Sequence, residues 1–415
     1  MSIATTRRAE EAFRDARREE AASLMRSDAA RAAIALHGTP VLLLQTERVR
    51  AQYRRLRAAL PFVDFHFAVK ALAHEGVLET LAEEGCGFDV ATGEELALLD
   101  RVPRGRIIHT HPIKKPAEIA EAIDAGVRTF VIDNEIELAK FIGAPSDVRL
   151  LVRLAYRSPH AKSDLSSKFG VGPFEAMHLI VAARERGIRV AGFSFHVGSQ
   201  LDDPARFAAA ITETVALIDR VRAELGVHLD VLDIGGGFPI AYDSAVRSIE
   251  ELAAVIGPVL AARAGDLEIL AEPGRAMVAE SMMLVTSVVG VAERDDGRWY
   301  YLDDGLYGAY SNVLTEDVHP LIFAERELEA ADTSAHRWAT LAGPTCDSSD
   351  VIAREALMPE LEVGDLLVSP AMGAYTVVTA SRFNGRPVTT IAVLDAVEVA
   401  RVGAVEREPA LAALA

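Results

Sequence analysis

Cysteine is scarce in this sequence. Only Cys86 and Cys346 occur among its 415 residues. Two thiols cannot build a disulfide framework, and they do not supply a set of zinc ligands. So little cysteine is typical of proteins from a reducing compartment. We therefore expect a cytoplasmic protein without a metal site.

Long apolar runs are also missing. The longest, MMLVTSVVGV at residues 282–291, is about half of the ~20 residues that a membrane-spanning helix needs, and it reads as a strand. The N-terminus lacks the apolar stretch of a secretory signal, and residues 7–36 contain too many acidic side chains for a mitochondrial transit peptide. The sequence therefore predicts no membrane segment.

Positive charge is in deficit. The 43 lysine and arginine residues are outnumbered by 61 aspartate and glutamate residues, which gives a formal net charge of −18. Nucleic acids and anionic membranes require a basic face, so we expect neither as a partner. An acidic surface serves solubility or attracts a cationic substrate, and the sequence leaves both explanations open.

From residue 62 onward, short apolar runs alternate with segments of helical periodicity such as PAEIAEAIDAG and FAAAITETVALIDRVRAEL. Eight such units in series predict an α/β fold, the (β/α)8 TIM barrel, with a doubly wound open sheet as the alternative. The eight runs are FHFAVK (65–70), GFDVA (87–91), RIIHTH (106–111), RTFVID (128–133), RLLVRLA (149–155), VAGFSFHVG (190–198), LDVLDIGGG (229–237) and EILAEPG (268–274).

The pattern changes after residue 280 to strands separated by turn signals such as Asp295-Asp296-Gly297. We predict an N-terminal helical extension over residues 1–40, the barrel with a leading strand over 41–280, and a mostly-β C-terminal domain over 281–415. The run VLLLQ at 41–45 precedes the first barrel unit, and it pairs either with the barrel or with the later domain.

Polar residues gather where the predicted strands end. In a parallel barrel the C-terminal ends of the strands carry the catalytic groups. Any one of these residues alone reads as a satisfied rim residue, but together they line one face. They are Lys70, Asp89, His111, Arg153, His196, Gly235 to Gly237 and Glu272.

The segment LDIGGGFP follows the seventh strand. Three consecutive glycines let backbone N–H groups approach an anion without a Cβ in the way. The loops after strands seven and eight form the usual phosphate site of barrels, and Arg275 follows in AEPGR. We therefore predict a phosphate ligand at this end of the barrel.

Lys70 ends an apolar run, where an ammonium group is costly unless it is paired or reacts. A lysine and a carboxylate, Glu272, around a phosphate site fit pyridoxal 5'-phosphate (PLP), which offers an aldehyde to the lysine and a ring nitrogen to the carboxylate. His196 in FSFHVGSQ is positioned to stack on the ring, and Ser199 lies near the phosphate.

These residues stand in motifs that resemble a known family. AVKA, DLSSKFGV, FSFHVGSQ, LDIGGGFP, AEPGR, DDGLYGAYS, GPTCDSSD and MGAYT occur in order between residues 40 and 395. They are similar to the motifs of the ornithine/diaminopimelate/arginine decarboxylases, which have the alanine-racemase-like PLP fold. The resemblance implies a head-to-tail homodimer with active sites at the subunit interface.

The resemblance also implies a role for each matching residue. Lys70 is similar to the Schiff-base lysine, His196 to the ring-stacking histidine and Glu272 to the carboxylate beside the ring nitrogen. The phosphate-binding positions match Ser199, Gly235, Gly236, Gly237, Gly274, Arg275 and Tyr375, and the supporting polar positions match Asp89, Glu95 and Arg153.

Cys346 matches the cysteine that a partner subunit supplies to return a proton to the substrate Cα, a task that suits a thiol. In isolation this cysteine reads as a small buried hydrophobe, and only the flanking motif reverses that interpretation. Asp347 matches the carboxylate that binds the distal amine of the substrate. The predicted substrate pocket also contains Tyr307, Glu316, Asp317 and Phe383.

The predicted reaction is decarboxylation of a basic L-amino acid of the ornithine or lysine class. Cys-Asp after GPT is typical of that class, whereas diaminopimelate decarboxylases usually have Cys-Glu. One departure is Glu316, which stands where ornithine decarboxylases usually have aspartate. Its extra methylene favours a shorter or differently angled amine, unless Asp317 takes the role through a one-residue shift.

Three alternatives remain. The first is a decarboxylase for diaminobutyrate, arginine, diaminopimelate or a natural-product intermediate. A racemase needs a second base on the opposite face of the ring, a region that Cys346 occupies. A non-catalytic binding homologue tends to lose catalytic residues, whereas here Lys70, His196, Glu272, Arg275, Cys346 and Asp347 are all present.

Overall fold

The computed structural model describes residues 3–156, 165–328 and 335–395. Three predictions extend beyond these ranges. Residues 1–2 of the predicted N-terminal extension, residue 164, the first of DLSSKFGV, and residues 396–415 of the predicted C-terminal domain lie outside the described residues.

The described part of the N-terminal segment is helical. Helices α1 (Ile3–Arg26) and α2 (Asp28–His37) precede strand β1 (Val41–Leu44). The Ser27 hydroxyl accepts a hydrogen bond from the Ala30 N–H and caps α2. Apolar residues of both helices pack in one buried cluster with Val41 and Leu43 of β1 and with strands of the second domain.

The next strands form a closed parallel barrel. Asp64 pairs with Leu270, which joins the first barrel strand to the last and excludes the open sheet. The strands are β2 (Asp64–Ala68), β3 (Gly87–Val90), β4 (Ile107–His109), β5 (Thr129–Ile132), β6 (Arg149–Leu154), β7 (Arg189–Phe195), β8 (Val231–Asp233) and β9 (Glu268–Ala271).

Each barrel strand is followed by a helix, and one further helix precedes the barrel. The helices are α3 (Thr46–Ala59), α4 (Glu75–Glu83), α5 (Gly93–Ala97), α6 (Pro116–Asp124), α7 (Glu135–Ala139), α8 (Pro173–Glu185), α9 (Pro204–Leu225), α10 (Ile249–Ala261) and α11 (Arg275–Val278).

The barrel interior explains why polar side chains converge at one end. Val131, Leu151, Ala191, Val231 and Leu270 form a small buried apolar cluster of their own. Because side chains alternate along a strand, the residue two positions further points to the same interior. That next layer contains Arg153 after Leu151, Asp233 after Val231 and Glu272 after Leu270.

The C-terminal domain is a β-sheet, as predicted, with one short helix, α12 (Ser311–Glu316). The sheet order is β12-β15-β10-β11-β13-β14. Its strands are β10 (Met282–Arg294), β11 (Gly297–Leu302), β12 (Phe323–Ala324), β13 (Arg337–Ala342), β14 (Val351–Met358), β15 (Leu366–Ser369) and β16 (Thr390–Val393).

Two details of this sheet bear on the sequence analysis. The turn signal at Asp295 and Asp296 lies between β10 and β11, which pair antiparallel up to Arg294 and Gly297. Strand β1 pairs antiparallel with β10 and parallel with β16. The leading strand therefore belongs to the second sheet, one of the two partners that the sequence left open.

In the ranges that the structure describes, no helix is long and apolar enough to cross a bilayer.

Candidate active site

Lys70 lies just beyond the end of the first barrel strand, although the apolar run in the sequence includes it. Strand β2 ends at Ala68, and the lysine sits in a short 3-10 turn, Val69–Ala71. Its side chain is 48% exposed and therefore accessible, not buried as a strand tip would be. The Nζ atom donates a hydrogen bond of 3.2 Å to Asp89 Oδ2. Partial desolvation by the surrounding side chains would by itself lower the pKa of Lys70, but Asp89, Tyr375 and Glu272 together raise it by more.

Asp89 is buried at the end of β3 and is held from two sides. Oδ2 accepts from Lys70, while Oδ1 accepts from the Thr110 hydroxyl at 2.6 Å and from the Thr110 N–H at 3.3 Å. The same hydroxyl lies 3.4 Å from Glu272 Oε2. Thr110 thus connects the carboxylate beside the lysine to Glu272, which follows β9, the strand on the other side of β2.

Glu95 stabilises the backbone that follows Asp89. Its Oε2 accepts a hydrogen bond of 2.6 Å from the Ala91 N–H, which fixes the loop that follows Asp89. Burial raises the pKa of Glu95. The contact is to the backbone, so Glu95 orders the loop.

Glu272 follows β9 and shares the barrel end with the fully buried Asp233. Burial raises the pKa of Glu272 well above its usual value, and the negative charges of Asp233 and Asp89 raise it further. Asp233 Oδ1 accepts from the Gly235 N–H at 2.9 Å. This cluster of carboxylates favours a positively charged group beside it.

The glycine triplet forms a close-packed cradle. Gly235 has φ +66°, and a Cβ there would lie 2.1 Å from the Phe195 carbonyl oxygen. Gly237 has φ +96°, and its Cβ would lie 2.3 Å from the Gly198 carbonyl oxygen. Other residues are therefore excluded at both positions by conformation and by space. The loop brings its backbone against the segment that contains His196 and Ser199.

Arg275 lies next to this cradle, at the start of α11. Its Nη1 donates to the Tyr242 hydroxyl at 2.9 Å, and its Nη2 lies 3.5 Å from Ser199 Oγ and 2.5 Å from Glu316 Oε2. The guanidinium carbon is 4.8 Å from the centre of the Tyr375 ring. Glu316 is therefore the ion-pair partner of this arginine.

His196 is neutral at physiological pH. Burial, with the positive charges of Arg153 and Lys70, lowers the pKa of His196 to about 3. Its Nδ1 accepts a hydrogen bond of 3.0 Å from the Gly198 N–H, which puts the ring proton on Nε2.

Arg153 stands close by, with its guanidinium carbon 5.4 Å from the centre of the Phe169 ring. Burial lowers the pKa of Arg153, while Glu272 raises it.

One cavity brings most of the predicted cofactor residues together. It is lined by Lys70, His196, Ser199, Gly236, Gly237, Glu272, Gly274, Arg275 and Tyr375, among others. Asp89 and Glu95 lie behind Lys70. His111, one of the strand-end residues, instead interacts with Ile113 and packs its ring edge-on against Phe169.

Three of the predicted substrate residues, Tyr307, Asp347 and Phe383, form a second group in the β domain, together with Cys346. The Tyr307 hydroxyl donates to Asp347 Oδ2 at 2.5 Å, and the Tyr307 and Phe383 ring centres are 4.6 Å apart. The hydrogen bond from Tyr307 lowers the pKa of Asp347, as do those from Ser349. Cys346 is exposed, and its N–H donates to Asn384 Oδ1 at 3.1 Å.

The two groups line different cavities. Cys346 and Asp347 line a cavity with Asp295, Asp296 and Trp299 of the β10–β11 hairpin. Lys70 does not line that cavity. Asp317 stands apart from both groups as an exposed residue in the left-handed conformation, φ 51°, at the end of α12. Its Oδ1 lies 3.5 Å from His319 Nε2.

Thr110, Asp233 and Tyr242 are among the residues of the site that are missing from the sequence-based prediction. Thr110 and Asp233 lie at strand ends within the quoted runs RIIHTH and LDVLDIGGG, so the alternation of side chains could have identified them. Tyr242 gives no such signal, because it lies in an irregular loop and reaches Arg275 only through the fold.

The chain belongs to the pyridoxal-dependent decarboxylases. The family model described as "Pyridoxal-dependent decarboxylase, pyridoxal binding domain" matches residues 46–279. This range contains the whole barrel with Lys70, the glycine cradle and Arg275. The enzyme class and the PLP cofactor inferred from the motifs are thereby confirmed.

Individual relatives match most of the chain. Lysine/ornithine decarboxylase of Selenomonas ruminantium is 34% identical over 84% of this chain and 87% of its own. Antizyme inhibitor 2 of Xenopus laevis is 36% identical over 81% and 76%. The crystal structure of lysine/ornithine decarboxylase from Vibrio vulnificus complexed with cadaverine is 41% identical, covers 88% of this chain and 96% of its own, and superimposes with a TM-score of 0.81.

The cavity fits PLP on its own geometry. The backbone of Gly236 and Gly237 lines the cavity and packs too closely against its neighbours for a side chain, since a Cβ at residue 236 would lie 2.7 Å from the Glu272 carbonyl oxygen. Arg275 and Ser199 supply donors for a phosphate there. Lys70 supplies an amine and Glu272 a carboxylate in the same cavity.

Proposed function

We propose that this enzyme removes the α-carboxylate of a basic L-amino acid of the ornithine or lysine class and releases a diamine and CO2, a reaction of polyamine biosynthesis. The observation that carries the proposal is the separate group in which Asp347 accepts hydrogen bonds from Tyr307 and Ser349. Those bonds keep the carboxylate charged, as recognition of a distal ammonium group requires. Relatives of this chain carry lysine and ornithine in their names, and one was solved with cadaverine.

We assign the cofactor to the barrel cavity. Lys70 would hold its aldehyde carbon, and Gly235, Gly236, Gly237, Gly274, Ser199, Arg275 and Tyr375 would hold its phosphate. When bound, PLP supplies a protonated ring that withdraws electrons from the bond to the departing carboxylate. Glu272 would keep the ring nitrogen protonated, because a cation there offsets the burial that raises the pKa of this carboxyl.

The other polar residues orient these groups. His196 would stack on the ring as a neutral imidazole, in line with its lowered pKa. Asp89 would orient the Lys70 amine through the existing hydrogen bond. Arg153 would add positive charge near Glu272, and Glu95 would fix the loop after Asp89.

Protonation of the substrate Cα after loss of CO2 requires an acid that can reach it. We assign this role to the thiol of Cys346, which is exposed. Because Cys346 and Lys70 line different cavities, we propose a homodimer in which each subunit supplies Cys346 and Asp347 to the barrel of the other.

For substrate selection we propose Asp347, Tyr307 and Phe383 as the first contacts of the distal amine and its methylene chain. Glu316 and Asp317 are the further candidates. Glu316 forms an ion pair with Arg275, and Asp317 Oδ1 lies 3.5 Å from His319 Nε2. We keep the hypothesis that this loop shifts the preference away from strict ornithine specificity.

A non-catalytic homologue is the second candidate, because antizyme inhibitor 2 is among the similar proteins. The intact set of Lys70, Glu272, Arg275, Cys346 and Asp347 favours the enzyme.

We further propose that it acts in the cytoplasm, since both cysteines are free thiols. The division into residues 1–40, 41–280 and 281–415 also remains our proposal.

The test is an assay of PLP-loaded protein with L- and D-ornithine, L-lysine, L-arginine, 2,4-diaminobutyrate and meso-diaminopimelate, following CO2 and the amine product. Putrescine or cadaverine as product would support the proposal. Bound PLP with no product from any of these would favour a modified substrate, and failure to bind PLP would favour the non-catalytic homologue.

A further inference from the structure

Arg17 of the N-terminal helix α1 contacts the barrel. Arg17 Nη1 donates to Glu20 Oε2 of the same helix at 2.8 Å, and its Nη2 donates to the Ala241 carbonyl oxygen at 3.2 Å. The same Nη2 donates to a carboxylate oxygen of Glu280. The Arg17 side chain is only 12% exposed, so these contacts are shielded from solvent.

Both barrel partners of Arg17 belong to segments that lead out of the cradle. Ala241 lies in the loop that continues from the glycine triplet, four residues after Gly237. Glu280 lies in the 3-10 turn directly after α11, the helix that begins with Arg275. A single guanidinium on the outside therefore connects the two segments that carry the proposed phosphate ligands.

The loop around Ala241 is fixed from the cavity side as well. The Ile240 N–H donates to Gln200 Oε1 at 2.8 Å, and Gln200 Nε2 donates to the Ile240 carbonyl oxygen at 2.9 Å. On the other flank, the Tyr242 hydroxyl accepts from Arg275 at 2.9 Å. Arg17 binds the carbonyl between these two residues, so the loop is clamped from opposite sides.

A second arginine strengthens the outer contact. Arg48 of α3 donates to a carboxylate oxygen of Glu20, and also to the Glu280 carbonyl oxygen at 3.3 Å. The Glu20 and Glu280 side chains are 18% and 28% exposed. Ion pairs in a partly buried network of this kind are less screened than isolated surface pairs.

We infer that Arg17 is a positioning residue for the phosphate of the cofactor, and that helix α1 braces the phosphate cradle from outside the barrel. The inference rests on the phosphate role proposed for the glycine triplet and Arg275. The contrasting explanation is that α1 only covers the apolar face of the β-sheet with Ala21, Leu24 and Met25. That role would stabilise the fold without acting on the phosphate.

The test compares the affinities of the full-length protein for PLP and for pyridoxal, which lacks the phosphate. R17M keeps the length of the side chain and removes its donors. We expect R17M to bind PLP about tenfold more weakly than the wild type and to bind pyridoxal equally well. R17K should recover part of the PLP affinity, because a lysine retains a donor and a charge.

R31M is the matched control, since Arg31 of α2 bonds to Asp28 and not to the barrel. It should leave both affinities unchanged. If R17M fails to fold, E280Q removes the barrel-side charge without changing α1, and its PLP affinity should fall in the same way. An unchanged PLP affinity in R17M, or an equal loss for PLP and pyridoxal, would overturn the inference. A wild-type protein that binds no PLP would instead contradict the proposed function.

Discussion

Glu316 and Arg275 form an ion pair at the mouth of the barrel, with Glu316 Oε2 2.5 Å from Arg275 Nη2. One partner is the proposed phosphate ligand, and the other lies in the loop that the motifs assign to the substrate. A bound phosphate and this carboxylate would therefore compete for the same guanidinium. Glu316, proposed as a further candidate for substrate selection, is here directed towards the proposed cofactor site.

Because Glu316 is paired with Arg275, we expect substitutions of Glu316 and of Asp347 to have different effects. E316Q removes the negative charge that competes with the phosphate, so PLP should bind with unchanged or several-fold higher affinity. D347N should lower kcat/KM for ornithine and lysine by about 100-fold, because the distal amine loses its charged partner. Steady-state kinetics and PLP titration of both variants measure these effects.

The identity of the preferred substrate is a related prediction. We expect kcat/KM for lysine or 2,4-diaminobutyrate to stand within about tenfold of that for ornithine. E316D shortens the side chain by one methylene, so comparing it with the wild type tests whether the length of this side chain sets the preference. Ornithine ahead of both by several orders of magnitude in the wild type would contradict an altered preference.

The Lys70–Asp89 pair predicts a pH effect. Asp89 raises the pKa of Lys70, so replacing it by asparagine should lower that pKa. Since only the neutral amine attacks an aldehyde, the pH midpoint for PLP capture by cofactor-free protein should move down in D89N. Stopped-flow absorbance at several pH values measures it. D133N alters a strand-end carboxylate that accepts from the Gly170 N–H, and it should leave the midpoint in place.

Thr110 predicts a stability effect. T110V keeps the shape of the side chain but leaves Asp89 Oδ1 with the longer 3.3 Å backbone contact alone. Weakening the hydrogen bonding of a buried carboxylate costs ~1–3 kcal/mol, and we expect that loss in the free energy of unfolding measured with urea. T110S retains the hydroxyl and should recover most of it. Equal stability of T110V and the wild type would show that the hydroxyl makes no net contribution.

The shared active site predicts recovery of activity on mixing. K70A and C346A should each be nearly inactive, because one loses the cofactor amine and the other the acid. If subunits exchange in a homodimer, the mixture should reach about a quarter of the wild-type activity, since half of the dimers then carry one intact site out of two. Light scattering before and after mixing reports the assembly. A dimeric mixture that exchanges subunits but stays inactive would place both residues in one subunit's site.

Most of the fold could be predicted from local patterns. The eight barrel strands lie within or overlap the apolar runs, because short buried strands and helix-period segments alternate in the sequence itself. The helical N-terminus and the β10–β11 turn follow from the same kind of signal. The ends of strands are less well predicted by local patterns. The run FHFAVK continues past the end of β2, so Lys70 stands in an accessible turn and not in the strand.

By itself the sequence determined the order of the elements, because each element depends on residues that are close along the chain. It also indicated the cofactor, because several short motifs, each recognisable locally, occur together in one order. Only the tertiary structure decided which side chains meet. Strand β1 joins the second sheet, Glu316 pairs with Arg275 over 41 positions, and Arg17 reaches Ala241 over 224. Such contacts depend on how the elements pack, and no local periodicity records them.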